Sequence, residues 1–107
     1  MKIPTGTALL LALAVPAIAQ EPPAADIAAG EKMYASSCAR CHGRTGRGMA
    51  SFPPVEGKDV DYLVGRLEQY REGENVGPNS ALMKPVAAKL SDEDITNLSA
   101  FIAANFQ

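Results

Sequence analysis

Both cysteines and the single histidine of this 107-residue chain fall within five consecutive positions, CARCH, from Cys38 to His42. Thiols and imidazoles bind metals and react with electrophilic carbon, so crowding them together marks a place for chemistry rather than for packing. A disulfide between Cys38 and Cys41 would close so short a loop that it stabilises little. A dithiol redox pair of the C-x-x-C kind belongs between a strand and a helix, and no stretch of this chain reads as a strand. A structural zinc ion takes four ligands, and no further Cys or His exists to complete the set. A C-x-x-C-H run has one other use, in which two thiols add across the two vinyl groups of one haem and the adjacent imidazole ligates the iron. Cys38 and Cys41 are thus the expected attachment sites of one covalent haem c, with His42 as its proximal iron ligand.

The elements that must position this cluster are helical. Asp26 is placed to cap a helix in which Ile27, Gly30, Met33, Tyr34, Cys38 and Cys41 recur at spacings of three and four, so the cysteines continue its apolar face. Residues 43–58, GRTGRGMASFPPVEGK, hold four glycines and two prolines and read as a loop. Asp59 opens a second helix with Val60, Leu63, Val64 and Leu67 as its stripe, and Gly73 closes it. Gly77, Pro78 and Pro85 interrupt the next stretch, which admits one short helix. The last helix starts at Ser91, with Leu90 and Ile95 placed for a hydrophobic staple and Asp92, Glu93 and Asp94 at the positive end of the dipole. Asp94 is shorter than the Glu or Gln a capping box prefers. Ile95, Leu98, Phe101, Ile102 and Phe106 form its buried side. The expectation is an all-α domain of three to four helices, with long loops packed around the haem.

The opening MKIPTGTALLLALAVPAIAQ carries Lys2, an apolar run from Ala8 to Val15 and the small-residue site Ala17-Ile18-Ala19. That order is a secretory signal, cleaved after Ala19, and the run falls well short of the roughly 20 residues of a membrane span. Residues 1–19 are then the signal peptide, 20–26 an exposed leader, and 27–107 the domain, exported to the periplasm without a membrane anchor. Thioethers suit that compartment, since they retain the haem and leave no thiol to misoxidise. A formal net charge of −2, more negative once Lys2 is removed, argues against a nucleic-acid partner.

The order CARCHG, FPPVEGK, DYLVGRLEQYREGE and MKPVAAKLSDEDITNLSAFIA resembles the class I c-type cytochromes, in particular the small bacterial c553 and c4 group, over roughly residues 27–106. The resemblance implies a monohaem one-electron carrier, not an enzyme, with histidine and methionine as axial ligands. It carries the distal role to Met83 and sets Gly30 against Phe101 where the first and last helices cross. It also assigns one of the carbonyls of Pro53 or Pro54 to the second nitrogen of His42, leaving open which.

The competing methionines are less suited. Met33 shares the helix of the cysteines and is held on their side, whereas Met49 reaches the other face only by drawing the GRTGRG loop taut. Arg40, Arg44, Arg47, Lys84 and Lys89 lie near the ligand positions in sequence, which implies redox partners with an acidic docking patch. An alternative reading is the electron-accepting haem subunit of a periplasmic dehydrogenase complex, such as a flavocytochrome.

Overall fold

Five helices in chain order carry the fold of the computed structural model, which describes residues 1–14 and 24–107. They are α1 (Ile27–Ser37), α2 (Ala39–His42), α3 (Val60–Arg71), α4 (Ser80–Ala87) and α5 (Asp92–Asn105). Among the described residues there is no strand, only an isolated bridge between Met49 and Phe52. Residues 1–14 are exposed and without regular structure, and the expected cleavage point after Ala19 lies outside the described residues. No described helix is long and apolar enough to cross a membrane.

Side chains named by the capping pattern begin the three longer helices. The Asp26 carboxylate accepts from the Ala29 amide at 3.0 Å, while the Asp26 amide donates to Oδ1 of Asn97 at 2.8 Å, so one residue caps α1 and ties it to α5. Asp59 accepts from the Tyr62 amide at 2.8 Å. At α5 the capping box closes despite the short acid: Asp94 N donates to Ser91 Oγ and Ser91 N to Asp94 Oδ2, each at 3.0 Å. Leu90 and Ile95 are both buried in the core, as a hydrophobic staple requires. Gly73, just past the end of α3, adopts φ +85°, the left-handed conformation that a glycine takes without strain.

The core lies where α1 crosses α5 and where α3 packs on α5. Gly30 makes the crossing possible, because a Cβ there would lie 2.1 Å from the Asn97 carbonyl oxygen and 3.0 Å from Cβ of Phe101. The expected pairing of Gly30 with Phe101 is therefore present, with the Asn97 backbone as the closer neighbour. Tyr34, Phe101 and Phe106 pack as an aromatic trio with ring centroids 5.0–5.7 Å apart, favouring tilted and edge-to-face contacts.

Two local features depart from the sequence reading. The first helix does not run unbroken into the cysteines: it ends at Ser37, and Cys38, at φ −117° and ψ −40°, starts a new short turn whose Cys41 and His42 amides both bond to the Cys38 carbonyl. Pro85, read as an interruption of its stretch, instead lies inside α4, the helix that carries Met83. Pro85 has no N–H for the carbonyl of Ala81, yet it removes only that bond from a short helix. Beyond it the helix is rejoined by Ala88 N to the Lys84 carbonyl, and it is anchored by Ala87, which is fully buried.

Candidate functional site

A single cleft bounded by α1, α2, the 43–58 loop, α3 and α4 brings together Cys38, Cys41, His42 and Met83. These are the four site residues expected from the sequence. Met49 is 48 % exposed and does not line the cleft, and Met33 packs against the core.

His42 is buried, and two bonds to it and one to the next residue hold it in place. Its Nδ1 lies 2.8 Å from the Pro53 carbonyl oxygen. A carbonyl only accepts, so Nδ1 carries the hydrogen and Nε2 keeps its lone pair for a metal. The Gly48 amide donates to the His42 carbonyl at 2.7 Å. The hydroxyl of Tyr34 donates to the Gly43 carbonyl at 2.5 Å, fixing the residue that follows the imidazole. Pro53, not Pro54, thus supplies the carbonyl, and the backbone explains the choice. Gly48 turns at φ +79° and comes so close that a Cβ there would lie 2.4 Å from the Phe52 carbonyl oxygen, which presses the Phe52–Pro53 segment over the ring.

Cys38 and Cys41 are half-buried and not joined to each other. Burial pushes the Cys38 thiol up to about 11, and the neighbouring Cys41 adds to the effect. A thiolate is disfavoured at this position, whereas a neutral thioether carries no charge to desolvate.

The rest of the cleft is mostly apolar, lined by Leu63, Leu67, Val86 and Ile102 among others, with no aspartate or glutamate. Its cations are Lys58 and Arg66. Lys58 Nζ and Arg66 Cζ both lie 5.3 Å from the ring centroid of Tyr62, and Arg66 Nε donates to the Tyr62 hydroxyl at 3.3 Å. Neither is in a salt bridge among the described residues. A haem presents a broad apolar ring, two carboxylates, two vinyl groups and two axial iron positions. The apolar walls, the two cations without acidic partners among the described residues, the paired thiols, and the imidazole and thioether of His42 and Met83 match that set.

Lys58 and Arg66 were missed by the sequence reading. Arg40, Arg44, Arg47, Lys84 and Lys89, the cations it singled out, do not line the cleft. Their nearness to His42 and Met83 in sequence carried no information about direction. The usable signal was Arg66 beside Leu63 and Leu67, where rotation along α3 carries it to the flank of the buried stripe.

The cytochrome c family profile matches residues 27–105. Cytochrome c-554(548) of Halomonas halodenitrificans is 42 % identical over 82 residues, covering 76 % of this chain and 98 % of that protein. The thiosulfate dehydrogenase electron acceptor of Stutzerimonas stutzeri is 37 % identical over 75 % of this chain but only 40 % of its own length. Among solved structures, reduced recombinant cytochrome c4 from Pseudomonas stutzeri superposes with a TM-score of 0.68 at 32 % identity, over 76 % of this chain and 48 % of that one. A profile match across nearly all the helical region, joined to a C-x-x-C-H cluster in a cleft of matching chemistry, places this chain in the cytochrome c family as a class I c-type cytochrome carrying haem c.

Proposed function

We propose that this electron-carrying cytochrome works in the periplasm as a one-electron shuttle, with Cys38 and Cys41 as thioether attachments and His42 and Met83 as the two axial ligands. The observation that carries the reading is that these four side chains share one cleft. The bound haem supplies the one-electron couple. The chain supplies rigidity: Pro53 fixes the imidazole tautomer and raises its basicity, Tyr34 and Gly48 clamp the backbone beside it, and the apolar walls of α3 and α4 exclude water. A methionine sulfur favours the ferrous state and raises the potential relative to a second histidine. With His42 and Met83 both holding the iron, no position would be left open for substrate, and substrate chemistry would fall to the partners.

For export, the support is the order of charge, apolar run and A-x-A site in residues 1–19, with residues 20–26 as leader. For docking, it is that Arg40, Arg44 and Arg47 are all exposed within eight positions of α2 and the following loop, with only Arg47 near an acid, 3.7 Å from Glu56. Such a patch selects a partner with an acidic surface.

A second reading, an electron-accepting subunit within a dehydrogenase complex, is favoured by two observations. One relative bears the name thiosulfate dehydrogenase electron acceptor. At the cleft mouth Tyr62 and Leu82 are 44 % and 54 % exposed, an apolar rim suited to a lasting contact.

Denaturing mass spectrometry of the exported protein tests the common core of both readings: one haem added to residues 20–107 is expected, and free thiols from a strain competent in cytochrome maturation would overturn it. Capture from the periplasm on immobilised holoprotein separates the two. Stoichiometric recovery of a dehydrogenase subunit supports the complex, and salt-labile recovery of several redox proteins supports the shuttle.

A further inference from the structure

The helix that carries Met83 is weak by its own composition. It has eight residues, Pro85 removes the bond that the Ala81 carbonyl would accept, and the residue before a proline resists the helical conformation. Its first residue follows Asn79, which sits at φ +65° and makes no side-chain cap. By propensity and capping, the N-terminal half of α4 would fray.

Besides the exposed bond from Asn79 Nδ2 to the Ser51 carbonyl at 3.4 Å, one buried side chain opposes this. Ser80, 4 % exposed, accepts from the Val76 amide at 3.0 Å and from the Gly77 amide at 3.1 Å, and donates to the Gly77 carbonyl at 2.7 Å. A single hydroxyl uses its donor and both lone pairs to lock the 76–79 turn onto the first turn of α4. Met83 lies three residues later, on the neighbouring turn of the same helix face. The C-terminal half has its own anchors in Ala87 and Leu90, both buried in the core. What Ser80 holds is specifically the half that bears the sulfur.

We infer that Ser80 is a positioning residue for Met83: its three hydrogen bonds keep the methionine over the cleft, and their loss lets the N-terminal half of α4 swing away while the rest of the fold stands. The inference rests on the reading of Met83 as the distal ligand. Global stability is a separate property, set mainly by the α1–α5 core.

The test uses ferric holoprotein and potassium cyanide, which binds only when the methionine has left. Ser80→Ala should speed cyanide association about tenfold, the equivalent of about 1.4 kcal/mol, and weaken the ferric iron–sulfur charge-transfer band. Ser80→Thr, which keeps the hydroxyl, should restore much of both. Asp26→Ala, which removes the cap of α1 at the Ala29 amide, lowers stability without touching α4 or this turn and should leave the cyanide rate unchanged. Equal acceleration by Asp26→Ala, or none by Ser80→Ala, overturns the inference. If Ser80→Ala yields no holoprotein, hydrogen exchange decides on the unaltered chain. Val76 and Gly77 amides should open at the limiting rate of cyanide binding, and opening of these amides only by global unfolding, while cyanide enters faster, overturns it. Loss of the charge-transfer band in Met83→Ala establishes the underlying ligand reading separately.

Discussion

The imidazole Nδ1 of His42 donates to the carbonyl oxygen of Pro53 across 2.8 Å, eleven residues along the chain. This bond gives the ring its orientation and part of its basicity, and Gly48 keeps it in place. Gly48→Ala meets both a left-handed φ and the Phe52 carbonyl oxygen 2.4 Å away. The positive φ alone costs about 1 kcal/mol or more. The substitution should therefore lower the denaturation midpoint and, by drawing Pro53 off the ring, raise the reduction potential. An unchanged potential in a correctly loaded Gly48→Ala protein would show that the bond survives by other means.

Met83→Ala should abolish the charge-transfer band, lower the potential and admit cyanide or carbon monoxide. Met49→Ala, altering a residue that is half exposed and outside the cleft, should do none of these. The reverse pattern in the two spectra would refute the ligand assignment.

Much of this arrangement was readable in advance because it is local. Asp26, Asp59 and Ser91 announce helix starts through short-range hydrogen bonds, and CARCH states its chemistry in five residues. What sequence left hidden depends on longer relations. Pro53 and Pro54 are chemically identical acceptors, and only the approach of Gly48 selects between them. The break at Cys38 keeps the apolar spacing of α1, so periodicity gives no sign of it. Pro85 reads as a helix breaker, but the cost of its missing N–H is offset by tertiary burial of Ala87. Lys58 lies just before α3 and Arg66 on the flank of its buried stripe, so both reach the cleft through the packing of α3, of which the sequence shows only the place of Arg66 beside Leu63 and Leu67.

Two glycines should respond in opposite directions to alanine. At Gly30 the new Cβ would lie 2.1 Å and 2.6 Å from backbone atoms of Asn97, which cannot yield without separating α1 from α5. That overpacking should cost about 2 kcal/mol or more, exceeding the roughly 1 kcal/mol gained in helix propensity. At Gly65, within α3, a Cβ meets nothing within 4 Å, so only the propensity gain remains, about 0.5–1 kcal/mol. Denaturant midpoints of the two holoproteins check the contrast, and destabilisation by Gly65→Ala would contradict it.

Ser99 offers a third contrast in the same assay. It is fully buried on α5, and its hydroxyl has no hydrogen-bond partner among the described residues. Leaving such a group unsatisfied costs free energy, and alanine removes the group while favouring the helix. Ser99→Ala should be neutral or stabilising by up to about 1 kcal/mol. A loss above that size would mean that the hydroxyl is bonded in solution.

Tyr34 should make stability depend on alkaline pH. Burial pushes its phenol up from 10.0 to about 12, and the charge on Cys38 adds a smaller part. Thioether formation removes the Cys38 charge and leaves burial, the larger cause. Because the folded chain holds this proton more tightly than the unfolded chain, the stabilisation is fully present below pH 10 and is lost as pH rises from 10 towards 12. Tyr34→Phe has no proton to lose, so its stability should be flat across that window where the unaltered chain declines. At neutral pH the same substitution should cost about 1 kcal/mol, since it deletes the hydrogen bond to the Gly43 carbonyl beside His42. The two denaturation curves should therefore converge or cross between pH 10 and 12. Parallel pH profiles would place the alkaline sensitivity elsewhere.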